Sequence, residues 1–154
     1  MIARFISCIA IVFILSAVTA HSAVPNLTGD VWSVCGDDGT STWHDTRLVF
    51  TKQVKQSSGA SVEGYFDWRS NHGSFGRENF AGVLQEDGVL LLKGQALQNS
   101  QDIVTSRYVA NLSKSGRSLV NGVWLDGVPG NWAAVRDGGK GTGMALCYPD
   151  KQVS

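Results

Sequence analysis

Three observations in the sequence predict an all-β fold, an eight-stranded antiparallel up-and-down (meander) barrel. No segment of ten or more residues beyond position 20 places apolar residues at i, i+3, i+4 and i+7, so amphipathic helices are not expected. Stretches that alternate with period two recur instead, cut at fairly even intervals by turn residues. Eighteen Gly and five Trp in 154 residues suit a small barrel, where Gly marks sharp bends and an aromatic ring packs beside it. Eight twisted strands in one sheet tend to close on themselves, which removes the exposed edges. A two-sheet sandwich is the alternative.

The elements follow in order, each bounded by a turn. Asp30–Cys35 ends at Gly36-Asp37-Asp38-Gly39, Arg47–Gln53 at Ser57-Ser58-Gly59, and Ser61–Trp68 at Ser70-Asn71-His72-Gly73. Arg77–Gln85 meets Glu86-Asp87-Gly88, the strongest turn signal, because Asp-Gly tolerates the positive φ angles of tight hairpins. Val89–Leu97 stops at Gln98-Asn99-Ser100, Ile103–Ser113 at Lys114-Ser115-Gly116, and Ser118–Leu125 at Asp126-Gly127-Val128-Pro129. Gly130–Arg136 is the eighth strand. Val62-Glu63-Gly64-Tyr65-Phe66 resembles Val120-Asn121-Gly122-Val123-Trp124, as a hairpin used twice or as Gly bends in two strands.

The barrel domain is residues 21–154; residues 1–20 read as a signal peptide. Arg4 gives a positive start, Phe5 to Val18 is apolar with small breaks, and Val18-Thr19-Ala20 supplies the small residues of a cleavage site. That apolar run is shorter than the roughly 20 residues a membrane span needs. Cleavage after Ala23 is a second option, with His21 at its −3 position. A secreted or periplasmic protein without a stable membrane anchor is expected. Cleavage removes Cys8 and leaves Cys35 and Cys147, which in an oxidising compartment read as one disulfide closing the barrel. A bridge over so long a loop is worth about 4–5 kcal/mol by chain entropy.

Charge excludes one class of partner. The chain holds 13 basic and 13 acidic residues, and loss of Arg4 leaves the exported domain near −1, so no basic field exists for nucleic acid. Hydrophobic residues make up 43%, enough to fill a core.

No enzyme is expected. There is no Gly-x-Ser-x-Gly elbow, His-Glu-x-x-His, Walker loop or Gly-x-Gly-x-x-Gly. His21, His44 and His72 are too scattered for a metal site, and no cofactor is implied. Glu63 and Asp67 share one strand face with Tyr65, as a solvated outer row. Asp37-Asp38-Gly39 reads as a plain turn, since the twelve-residue calcium loop is absent.

The aromatics carry the functional expectation. Gly64, Phe66 and Trp68 share one face of the third strand, and Gly122, Trp124 and Asp126 one face of the seventh. Barrels of about eight strands either fill their interior or hold one small ligand. Trp32, Phe66, Trp68, Tyr108, Trp124, Asp126 and Trp132 are the candidate lining, with flat surfaces and few polar handles. The same rings could instead plug the barrel.

Asn26-Leu27-Thr28-Gly29-Asp30-Val31-Trp32 places a Gly closely before a Trp at the start of strand one, and Asn131-Trp132-Ala133-Ala134-Val135-Arg136 puts a Trp on the last strand. Together with the meander, these stretches resemble the calycins, meaning lipocalins and avidins. What the resemblance implies is a ligand-holding barrel, without naming the ligand; the aromatic candidate lining points to a small apolar or aromatic one. The alternative is an inhibitor of an exported protease or lysozyme, acting through an arm, His21 to Asn26, or the loops Ser70–Ser74 and Asp126–Asn131. Asn26-Leu27-Thr28 and Asn111-Leu112-Ser113 match the N-glycosylation pattern, which matters only in a eukaryotic source.

Overall fold

The computed structural model describes residues 24–136. Residues 1–20, expected as a signal peptide, and Cys147, the expected partner of Cys35, lie outside the described residues. Eight strands run in chain order: β1 Val31–Asp37, β2 Thr42–Gln56, β3 Gly59–Arg69, β4 Phe75–Gln85, β5 Val89–Gln101, β6 Arg107–Leu112, β7 Ser118–Trp124 and β8 Gly130–Arg136. Each pairs antiparallel with the next, and β8 pairs antiparallel with β1, so the sheet is a closed barrel rather than a sandwich.

All eight expected strands are present, and their ends differ most at the β1–β2 and β5–β6 connections. β1 runs through Cys35 and Gly36 to Asp37, and β2 begins at Thr42, five residues before the expected start. β5 continues through Gln98-Asn99-Ser100 to Gln101, and the turn into β6 is 102–106 instead. The polar run resembles a turn, yet its backbone pairs with the start of β4, Gln98 opposite Arg77 and Gln101 opposite Phe75. Ladder bonds are indifferent to side-chain polarity where both faces meet water.

Alternation sets the interior. In β3, Val62, Gly64, Phe66 and Trp68 are buried, while Glu63 is exposed and Tyr65 and Asp67 are half-buried outside. That outer row behaves as expected: Glu63 pairs with Lys52 at 2.8 Å, Asp67 with Arg77 at 2.7 Å, and the Arg77 guanidinium lies 3.8 Å from the Tyr65 ring centroid. Exposed pairs of this kind contribute little, about 0–1 kcal/mol each.

An aromatic column fills the barrel. Trp32 meets Phe50 edge-on at 6.0 Å, Phe50 meets Phe80 at 5.6 Å, and Phe80 meets Phe66 at 5.3 Å. Phe66 then stacks on Trp68 at 4.7 Å, and Trp132 abuts Phe66 at 5.8 Å. Leu48, Leu84, Leu90 and Leu119 complete the core around the lower rings, all fully buried.

The lower end is capped by the segment before β1. Leu27 is fully buried; its N–H donates to Gln53 Oε1 at 2.8 Å, while Gln53 Nε2 donates to the Pro25 carbonyl at 2.9 Å. The β1–β8 seam sits beside this cap. Arg136 lies over the Trp32 ring at 5.5 Å and donates to Asp30 and to the Thr28 carbonyl. The up-and-down topology then sends the β1–β2, β3–β4, β5–β6 and β7–β8 loops to the opposite end, the mouth.

Candidate functional site: the mouth of the barrel

A cavity of about 120 Å³ occupies the mouth. Three tryptophans form its walls: Trp43 from the start of β2, Trp68 from the end of β3 and Trp124 from the end of β7. Their rings stand nearly perpendicular to one another, Trp43–Trp68 at 5.4 Å and 77°, Trp68–Trp124 at 5.8 Å and 70°, Trp43–Trp124 at 6.5 Å and 82°. Tyr108 joins the lining from β6 and stacks on Trp68 at 5.9 Å.

The main chain makes room for these rings. Gly36 has no space for a Cβ, which would lie 2.6 Å from Trp124 Cζ3, and a Cβ on Gly130 would also strike that indole. Trp124 therefore lies in a slot between two glycine backbones on β1 and at the start of β8. Gly122 does the same for Trp132, whose ring would sit 2.7 Å from a Cβ there.

Each indole N–H is committed. Trp43 Nε1 donates to Asp38 Oδ2 at 3.2 Å, Trp68 Nε1 to Glu78 Oε2 at 2.9 Å and Trp124 Nε1 to the Val128 carbonyl at 2.7 Å. Such bonds fix the rings by their polar edges and leave hydrocarbon surface toward the cavity.

Below the floor is a carboxylate that sequence reading missed. Glu78 on β4 is fully buried; Oε1 accepts from the Ser106 N–H at 2.8 Å, and Oε2 accepts from Trp68 Nε1 and the Tyr108 hydroxyl. Burial pushes its carboxyl above the ordinary range, against the pull of the hydrogen bonds from Tyr108, Ser106 and Trp68. Burial and the neighbouring Glu78 also push the Tyr108 phenol upward, so it stays protonated as a donor. The signal in the sequence was parity: Glu78 shares its strand face with Gly76, Phe80 and Leu84.

The loops supply the rim. Asp38, Asp102 and Asp126 line the cavity together with Ile103, Val104 and Val128. Burial raises Asp38, but bonds from Thr40, Ser41 and Trp43 outweigh it and hold its carboxyl below the usual range. The Arg107 guanidinium holds Asp126 low through bonds of 2.9 and 2.8 Å. Ser106 Oγ is engaged with the carbonyls of Arg107 and Asp126 and accepts from the Leu125 and Asp126 N–H groups.

Of the candidates read from sequence, Trp68, Tyr108, Trp124 and Asp126 meet at this cavity. Phe66, Trp132 and Trp32 lie deeper in the column and are not among its lining residues. Trp43 and the 102–106 loop join the site from segments placed elsewhere by the sequence reading, the former in a connection and the latter largely in the sixth strand. Asp37 ends β1 and the turn follows it, with the Asp38 N–H donating to the Ser41 carbonyl at 3.2 Å and the Gly39 N–H to Asp37 Oδ1 at 2.6 Å.

The fold and site define a closed eight-stranded meander barrel with a small aromatic cavity at one end, an architecture consistent with the calycin-like resemblance. No protein-family model, curated protein or solved structure matches the chain.

Proposed function

We propose that the mature protein is an exported, non-catalytic barrel that binds a small apolar or aromatic ligand, or such a group on a larger one, at its mouth. The supporting observation is the three-tryptophan cavity above a filled column. Size limits the ligand: drug-sized pockets run to about 300–1,000 Å³, whereas this one measures about 120 Å³. Binding at the mouth replaces binding deep in the barrel, because Phe66 is fully buried beneath Trp68. In this reading Glu78 is structural, its oxygens taken by three donors below the floor. Export and a Cys35–Cys147 bridge belong to the same proposal; Cys35 stands on β1 directly beside β8, opposite Ala133, so a bridge there would tie the chain's last segment to the seam.

The test is a melting series with phenol, benzyl alcohol and cyclohexanol. A ligand at a hundred times its Kd raises stability by about 2.7 kcal/mol. Trp43→Ala, at the half-buried rim, abolishes that gain while leaving the unliganded barrel folded. No stabilisation by any small apolar or aromatic compound would contradict the reading.

A second reading has one observation in its favour. Val104, Leu125 and Val128 are 58%, 43% and 55% exposed on the mouth loops, as a loop-borne inhibitor would require. The described part of the arm, Val24–Asn26, is instead tied to the barrel through Gln53. Inhibition of an exported protease or lysozyme, lost on Val128→Asp, would favour this second reading.

A further inference from the structure

We infer that the mouth cavity selects small organic cations, a quaternary ammonium or protonated amine, over neutral compounds of the same shape. The inference rests on the mouth-binding reading and names its ligand class. It follows from what the cavity offers and what it withholds. The side-chain donors around it, three indole N–H groups, the Tyr108 hydroxyl and the Ser106 hydroxyl, are all engaged with protein acceptors. An anion or an acceptor-rich ligand therefore finds no side-chain donor there. What remains is ring surface from three indoles and acceptor oxygens from carboxylates.

Both of those attract positive charge. Trp is the strongest cation–π partner, through the negative potential over its face, and three indoles standing at 70–82° to one another line the cavity. Asp38, Asp102 and Asp126 stand among the lining residues, and no Lys, Arg or His does. Arg107 pairs with Asp126 from just outside and offsets one charge, leaving the mouth negative by two. Asp38 and Asp126 are kept ionised by the bonds they accept. The Trp68 indole N–H and the Tyr108 hydroxyl both donate to the same Glu78 oxygen, and such donation polarises the two rings toward greater negative charge on their faces. An apolar cavity built only for hydrocarbon would gain nothing from a rim of three carboxylates, which are costly to desolvate.

Calorimetric titration with choline chloride and its uncharged carbon isostere, 3,3-dimethylbutan-1-ol, separates the terms, with tetramethylammonium as the minimal probe. Choline and tetramethylammonium should bind at least about tenfold tighter than the alcohol, the scale of one or two good cation–π contacts. Asp102→Asn is the second variant. Asp102 is exposed with a φ of 55°, a conformation Asn also tolerates, so the substitution removes charge without disturbing the fold. It should weaken choline several-fold and leave the alcohol unchanged. Equal affinity for choline and the alcohol would overturn the cation inference and leave mouth binding standing. If neither these three nor the neutral compounds above bind, the mouth-binding reading itself is overturned.

Discussion

Gly94→Ala is the substitution whose cost follows most directly from the geometry below the floor. Gly94 is buried on β5, and its N–H donates to the Ser106 carbonyl at 2.7 Å. A Cβ there would overlap Glu78 Oε1 and lie 2.9 Å from Glu78 Cδ and 3.0 Å from the Ser106 nitrogen. The carboxylate must move, and its bond from the Ser106 N–H breaks with it. Overpacking costs about 1–3 kcal/mol, and an orphaned buried N–H about 1–3 more. Lower entropy of the unfolded chain returns about 0.4–1 kcal/mol. The expected net loss is about 2–5 kcal/mol, which at a urea m-value of about 2 kcal/mol/M moves the midpoint by roughly 1–2.5 M. Glu78→Asp withdraws the carboxylate by one methylene and makes room, so Gly94→Ala costs at least about 1 kcal/mol less in that background. Urea unfolding of the four proteins, followed by tryptophan fluorescence, measures the cycle. Additivity within about 0.5 kcal/mol would refute the contact between position 94 and Glu78 as the cause.

Glu78→Gln sets an amide NH₂ against either the Ser106 N–H or Trp68 Nε1–H, both obligate donors, and should destabilise by about 1–3 kcal/mol in the same unfolding assay. The raised carboxyl of Glu78 means the folded state holds its proton more tightly than the unfolded one. Its contribution to stability is thus full below the unfolded value and is lost as pH rises through the folded one; the wild-type minus Glu78→Gln difference in unfolding free energy should shrink from pH 4 upward. Leu27→Ala should cost about 2–5 kcal/mol by opening the lower cap, read as a fall in melting temperature. Arg136→Met removes the guanidinium from Trp32 and from Asp30 and should cost about 1–2 kcal/mol, with native circular dichroism retained.

The strands were legible because one face of each is buried, and burial on one face writes period two into the sequence. Their ends were less so. Gln98-Asn99-Ser100 looks like a turn by composition, while β5 extends through it on backbone bonds that side chains do not report. Trp68 and Trp124 were recognised as candidates; the solvated row of Glu63, Tyr65 and Asp67 turns Trp68 inward, whereas both faces of β7 carry apolar groups, so the direction of Trp124 needed the barrel. Position 122, on the same face as Trp124, fixes it: a Cβ on Gly122 would meet the Trp132 ring at 2.7 Å, inside the barrel. Glu78 escaped notice because a charged residue in mid-strand suggests solvent, although its neighbours of equal parity are Gly76 and Phe80. Trp43 and the 102–106 loop belong to the mouth only because eight strands close and bring alternate loops together, a long-range fact that no local pattern holds.

Five indole N–H resonances provide the most direct measurement of where a ligand binds. Trp43, Trp68 and Trp124 line the mouth, whereas Trp32 and Trp132 are set in the filled barrel with their N–H groups on the Leu27 and Val123 carbonyls. In a nitrogen–proton correlation spectrum titrated with tetramethylammonium and, separately, with phenol, mouth binding requires the first three signals to shift and saturate together while the other two stay fixed. Saturable shifts at Trp32 and Trp132, with the mouth three unmoved, would place the ligand inside the barrel and contradict it.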